Sequence, residues 1–157
     1  MVRTRLIVFA SAAALVFSFV APMTAHASLG GTCRSDLIKD RFDAVDSVID
    51  ASHSFTRDVT SFIDIKAGSP DEIRSDYRSS IRDLKQDLRS GLRDISDARG
   101  QALTDLQDSC GNVSTNRVKR ELTFYTRMDH NLFIAYRKAR VALRNAYRAA
   151  IASCCAS

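Results

Sequence analysis

The four cysteines are the residues of this sequence with the most distinctive chemistry. They are Cys33, Cys110, Cys154 and Cys155, and the last two are adjacent in the C-terminal stretch IASCCAS. Vicinal thiols can bind a soft metal ion, but the spacing is not C-x-x-C and no histidine lies nearby in sequence. An even number of cysteines is typical of disulfides formed in an oxidising compartment. We therefore expect disulfides and no metal site.

The sequence contains no recognisable catalytic constellation. It has no G-x-S-x-G, no P-loop, no H-E-x-x-H and no glycine-rich dinucleotide turn. Asp129 and His130 are adjacent, and on a helix the side chains of adjacent residues diverge, so they cannot act as an orienter and a base. We expect a non-enzymatic protein without a cofactor.

The N-terminal residues predict export. Arg3 and Arg5 precede an uncharged apolar run over residues 6–21, and the small-residue pattern A-x-A ends at Ala27. This pattern is typical of a signal peptide over residues 1–27, followed by a single domain over residues 28–157 in the periplasm or outside the cell. The terminal CCAS also fits a prenylation box, but prenylation is cytosolic chemistry and a signal peptide directs the chain elsewhere.

Turn and capping residues divide the predicted domain into three long segments. Ser69 to Glu72 read as a capping box with Pro70 in the first helical position, and Gly68 and Gly111 follow the ends of two segments. We therefore predict helices at about residues 34–66, 70–110 and 115–153. Each would be roughly 50–60 Å long at 1.5 Å per residue.

Each predicted helix carries one apolar stripe, which favours an elongated antiparallel three-helix bundle. In the first helix the stripe comprises Ile38, Phe42, Val45, Ile49, Phe55, Val59 and Phe62. In the third it comprises Val118, Leu122, Tyr125, Leu132, Tyr136, Ala139, Leu143, Ala146 and Ala150. The poor helix formers Asp129-His130-Asn131 interrupt this third stripe, so a four-helix bundle broken at that point is the alternative.

The two topologies make different predictions for the disulfides. In three helices Cys33 and Cys110 lie at the same end, and a bond between them would stabilise the fold by about 4 kcal/mol. Cys154 and Cys155 would then lie at the opposite end, where one of them could link two copies of the chain. In four helices both would return to the side of Cys33 and Cys110.

Charge is distributed unevenly along the chain. From Thr115 to the C-terminus nine Lys and Arg residues face two acidic residues, a net charge of +7, whereas residues 28–114 carry a net charge of −4. A basic stripe on the third helix comprises Arg137, Lys138, Arg140, Arg144 and Arg148. It could bind phosphate-rich polymers, lipid headgroups, acidic envelope polysaccharide or an acidic protein, or it could neutralise the other two helices. An exported chain without a stacking platform is not expected to bind nucleic acid.

The segment Leu103 to Gln107, LTDLQ, resembles the L-T-x-x-Q motif of the small helical periplasmic chaperones of the Spy and CpxP type. The resemblance covers five residues, occurs once and lies near the end of a helix. It implies a cradle-shaped helical dimer that shields unfolded clients. Our main hypothesis is an exported helical binding protein that acts through the basic stripe. A periplasmic chaperone and a disulfide-linked, self-assembling structural protein are the alternatives.

Overall fold

The computed structural model describes residues 31–64, 68–108, 110–111 and 113–154. These residues form three helices that pack against one another: α1 (Gly31–Ile63), α2 (Pro70–Asp108) and α3 (Thr115–Cys154). No strand occurs within these ranges. The predicted three-helix bundle is confirmed, with α1 beginning three residues earlier than predicted. The predicted signal peptide, residues 1–27, lies outside the described residues.

The capping residues form the contacts that their sequence predicts. The backbone N–H of Ser69 donates to Oε2 of Glu72 at 2.7 Å, and the N–H of Glu72 donates to Oγ of Ser69 at 3.3 Å. The hydrogen bond from the Ser69 N–H, with a smaller contribution from the Ser69 hydroxyl, lowers the pKa of Glu72 because it stabilises the carboxylate. After α2, Gly111 adopts a φ of +65°, a left-handed conformation that glycine accepts without steric cost. The capping box thus determines where α2 begins.

Helix α3 is continuous through Asp129, His130 and Asn131, so the four-helix alternative is wrong. Met128 occupies the buried position of this turn, whereas Asp129 is half-buried. Burial raises the pKa of Asp129, and the charge of Arg99 on α2 opposes that shift. The helix therefore carries Asp129 at the edge of its apolar face instead of breaking there.

Aromatic side chains join the three helices along the bundle. Phe55 of α1 packs edge-on against Tyr136 of α3, with ring centroids 5.9 Å apart. Near the α1–α2 connection, Tyr77 of α2 packs edge-on against Phe62 of α1, with ring centroids 6.1 Å apart. It also stacks on Tyr147 of α3, with centroids 4.4 Å apart. Because the first turns of α2 meet the last turns of α3, these two helices run antiparallel.

The apolar stripe predicted for the first half of α1 is in the wrong register. Phe42 is 53% exposed, while Leu37, Asp40 and Ala44 are buried. From Phe55 to Phe62 the predicted stripe is buried as expected. The prediction relied on hydrophobicity alone and therefore chose Phe42 as a buried residue. Packing against α2 and α3 instead buries the smaller Ala44.

The cysteines follow the three-helix topology. Cys33 in the first turn of α1 is bonded to Cys110 just after α2, with Cα atoms 5.1 Å apart. Cys154 lies at the opposite end, where its Sγ is 3.4 Å from the carbonyl oxygen of Gly68 in the α1–α2 connection. Cys155 lies outside the described residues. The disulfide therefore joins the termini of two helices at one end of the bundle.

Candidate binding surface

The predicted basic stripe lies on the side of α3 that faces away from α1 and α2. The buried residues Tyr125, Leu132, Tyr136 and Leu143 define the inner face of the helix. At 100° per residue, Arg137 and Arg148 project roughly opposite that face, and Lys138, Arg140 and Arg144 flank them. All five basic residues are exposed.

These five cations are not neutralised by their neighbours. None of them forms an ion pair or a side-chain hydrogen bond with another residue in the described ranges. The segment from His130 to Cys154 contains no Asp or Glu, so no partner is available along the helix itself. The stripe therefore presents a positive charge of five to solvent.

Three large apolar side chains lie among these cations. Phe133 is 41% exposed, Ile134 is 38% exposed and Val141 is 56% exposed. Ile134 and Val141 are one heptad apart, so both project from the same side of α3, close to Arg137 and Arg148. We use the term α3 outer face for Phe133, Ile134 and Val141 together with the five basic residues. Sequence reasoning missed the apolar members, although their position opposite the apolar stripe was a usable signal.

Two acidic residues of α1, Asp40 and Asp58, lie close to acidic residues of α2. Burial raises the pKa of Asp40 to about 6, and the nearby carboxylate of Asp105 on α2 adds to the shift. Burial likewise raises the pKa of Asp58 to about 6, with contributions from Asp87 and Asp83. These carboxylates therefore lie at the contact between α1 and α2.

One buried ion pair connects α1 to α3. Glu121 is buried, and its two carboxylate oxygens accept hydrogen bonds from the guanidinium of Arg41 at 2.6 and 3.0 Å. The same guanidinium lies over the ring of Phe124, 5.3 Å from its centroid. Burial raises the pKa of the adjacent Tyr125 phenol, and the charges of Asp40 and Glu121 add to the effect. This pair helps to fix the register of α3 against α1, and its carboxylate is buried.

Other kinds of site are not apparent within the described ranges. No group of three or more His, Cys, Asp or Glu residues there is arranged to hold a metal ion. No helix in that part of the chain is long and apolar enough to cross a membrane. The LTDLQ segment belongs to the last turns of α2, with Leu106 in the core and Leu103 packed against it. Its two leucines serve the packing of the bundle.

Comparisons of this chain with protein-family models, with curated proteins and with solved structures find no match.

Proposed function

We propose that the protein is an exported, non-enzymatic binding protein that contacts an anionic component of the cell envelope through the basic residues of α3. The observation that carries this proposal is a set of five exposed cations on one helix, within a segment free of acidic residues and without ion pairs in the described part of the chain. A cationic surface of this kind attracts polymers or surfaces rich in phosphate or carboxylate.

Neutralisation of α1 and α2 is the competing explanation of the basic stripe. It requires the arginines of α3 to approach the acidic residues of the other helices. In the bundle, the half-buried and buried carboxylates of Asp58 and Asp40 instead face Asp87 and Asp105. Since these carboxylates lie at the contact between α1 and α2, and none of the five cations of the stripe forms an ion pair in the described ranges, binding explains the stripe better than neutralisation does.

Export is supported by two independent features. The N-terminal residues have the pattern of a signal peptide, and the chain holds a disulfide between Cys33 and Cys110. N-terminal sequencing of protein recovered from outside the cytoplasm tests this part of the proposal. We expect a mature chain that begins at Ser28.

Charge-removing variants test the binding surface. We expect Arg137, Arg140, Arg144 and Arg148 changed together to Gln to weaken binding to inorganic polyphosphate by about tenfold or more, because most of the stripe's charge is lost. The matched control changes four exposed arginines of α2, Arg78, Arg82, Arg89 and Arg93, to Gln. It removes the same net charge from another helix and should weaken binding by less than about threefold, because the proposed surface lies on α3; equal weakening by the two variants contradicts that assignment.

The salt dependence of binding gives a second measurement on the same proteins. Raising the ionic strength from about 0.05 to about 0.3 M should weaken binding of the wild-type protein. The distance beyond which salt screens exposed charges falls from about 14 Å to about 6 Å over that range. Salt-insensitive binding, or binding unchanged in the α3 variant, contradicts the assignment of this surface.

The two alternative functions make different predictions. A periplasmic chaperone would suppress the aggregation of an unfolding client at stoichiometric ratios, whereas a polyanion-binding protein would not. A self-assembling protein linked through Cys154 or Cys155 would migrate as a dimer or larger species on a non-reducing gel of material taken directly from its compartment.

A further inference from the structure

We infer that the anionic component is the surface of a lipid bilayer, and that α3 lies along it with its outer face toward the lipid. This inference rests on the proposed function and adds the class of partner. It assigns different tasks to the two kinds of residue on the α3 outer face. Arg137, Arg140, Arg144 and Arg148 would bind phosphate groups, and Phe133, Ile134 and Val141 would insert below them.

The apolar residues carry the inference. A soluble polyanion offers cations a partner but gives large apolar side chains no reason to lie exposed among them. A bilayer surface accommodates both, because phosphates lie at the level of the guanidinium groups and acyl chains begin a few ångströms deeper. Phe133, Ile134 and Val141 are each more than one third exposed, and no acidic residue of the segment accompanies them.

The geometry of α3 suits contact along the helix rather than insertion across the membrane. The helix is continuous over Thr115–Cys154, and its inner face is committed to the core through Leu132, Tyr136 and Leu143. Ile134 and Val141 are separated by about 10 Å along the axis, with Arg137 and Arg140 between them and Arg144 and Arg148 after Val141. This arrangement places cations beside the apolar groups, as in helices that lie in the plane of a membrane surface.

A second copy of the chain does not fit the same face. Pairing two α3 outer faces would bring ten cations together without an acidic residue from His130 to Cys154 to compensate them. The apolar contact of three side chains per copy is small by comparison with a stable dimer interface, which buries about 800 Å² on each partner. Charge complementarity therefore favours an anionic surface.

The experiment uses the exported, processed protein and two probes. The first is unilamellar vesicles of phosphatidylglycerol mixed with phosphatidylcholine, with pure phosphatidylcholine vesicles for comparison. The second is inorganic polyphosphate, which offers phosphate without an apolar phase. Binding is measured by vesicle co-sedimentation and by polyphosphate titration, and circular dichroism checks that each variant is folded.

The decisive variant changes Phe133, Ile134 and Val141 to Ser. We expect it to lose about tenfold or more in binding to the anionic vesicles while its binding to polyphosphate stays within about twofold of wild type. The control changes Phe42 and Ile63 to Ser, two exposed apolar residues that belong to α1 and not to the α3 outer face. It should bind both probes as the wild-type protein does. The wild-type protein should not bind pure phosphatidylcholine vesicles.

Two failures are distinguishable. Wild-type binding to polyphosphate but not to anionic vesicles, or vesicle binding that the serine variant retains, overturns the bilayer inference and leaves the proposed function standing. Absence of binding to both probes overturns the proposed function as well.

Discussion

Asp40 is only 2% exposed, and its Oδ2 has no hydrogen-bond partner among the described residues. The groups around it offer little compensation: Lys39 opposes the shift of its pKa, while Asp43 on the same helix and Asp105 on α2 add to it. On α3, the phenol of Tyr125 also faces Asp40, since the charge of Asp40 contributes to the raised pKa of that phenol. A pKa raised to about 6 means that the folded protein binds a proton at Asp40 more readily than the unfolded chain does.

The sign of the pH dependence follows from this difference. Above about pH 6 Asp40 is charged in both states, and its burial opposes folding; as the pH falls toward 4, the folded state alone takes up the proton and is stabilised. We therefore expect the free energy of unfolding to rise between about pH 7.5 and about pH 4.5, with Asp58 contributing in the same direction. Urea denaturation at a series of pH values measures this pH dependence of the free energy of unfolding.

Asp40→Asn should remove much of this pH dependence. At pH 7.5 we expect the variant to be about 2 kcal/mol more stable than the wild-type protein, because an uncharged amide replaces a buried charge. Near pH 4 the two proteins should be almost equally stable. Combining Asp40→Asn with Asp58→Asn should flatten the profile further. A wild-type protein that loses stability steadily as the pH falls from 7.5 to 4.5 would contradict the prediction.

At the scale of the helices, the close approach of α1 and α3 to α2 depends on one small residue in the middle of α2. Gly91 is buried at the crossing of all three helices. A Cβ added there would lie 2.9 Å from Cδ2 of Leu132 on α3 and 3.2 Å from Cβ of Ala51 on α1. By sequence, Gly91 and Gly100 are both glycines in the interior of α2, and each is expected to weaken the helix. The structure distinguishes them, because a Cβ at Gly100 has nothing within 4 Å.

Alanine substitutions at the two glycines should change the stability of the protein differently. Gly100→Ala should stabilise the protein by about 1 kcal/mol, since alanine favours the helix and meets no neighbour. Gly91→Ala gains the same helix propensity, but the added methyl group pushes Leu132 and Ala51 away from α2, which costs about 1–3 kcal/mol. We therefore expect the stability of this variant to be unchanged or lower than that of the wild-type protein. Thermal denaturation of both variants measures the difference, and equal stabilisation by the two substitutions would contradict the packing described for Gly91.

At the scale of the whole molecule, the ends of the bundle are held differently. The bond between Cys33 and Cys110 ties α1 to α2 at one end and closes most of their combined length into a loop. At the other end Phe62, Tyr77 and Tyr147 pack together, and Cys154 lies beside Gly68. A covalent link restricts the unfolded chain, whereas the aromatic contacts stabilise the folded state directly.

Replacing Cys33 and Cys110 together by Ser should lower the free energy of unfolding by about 4 kcal/mol, because the unfolded chain regains the freedom of a long loop. Urea denaturation under non-reducing conditions measures the loss. As the control, the serine variant is also denatured in the presence of a reductant. Any further change in its free energy of unfolding is then due to the two cysteines at the C-terminus. A digest in which Cys33 is linked to a cysteine other than Cys110 would contradict the three-helix topology.

Capping residues and apolar periodicity were enough to predict the order and approximate bounds of the helices, but they left three and four helices as alternatives. Ser69 and Glu72 act through hydrogen bonds to each other's backbone N–H groups, and the apolar periodicity of α2 and α3 needs only local geometry. The sequence also placed the basic residues of α3 on one face. These features were predictable because the interactions responsible for them are close in sequence.

Which residues become buried where helices meet depends on tertiary packing. Phe42 is exposed while Asp40 is buried, and Glu121 takes a core position because Arg41 of another helix pairs with it. The same packing decided that Phe133, Ile134 and Val141 remain in solvent among the arginines. Each outcome depends on the shape and charge of a neighbouring helix at a given contact, which the periodicity of a single helix does not contain.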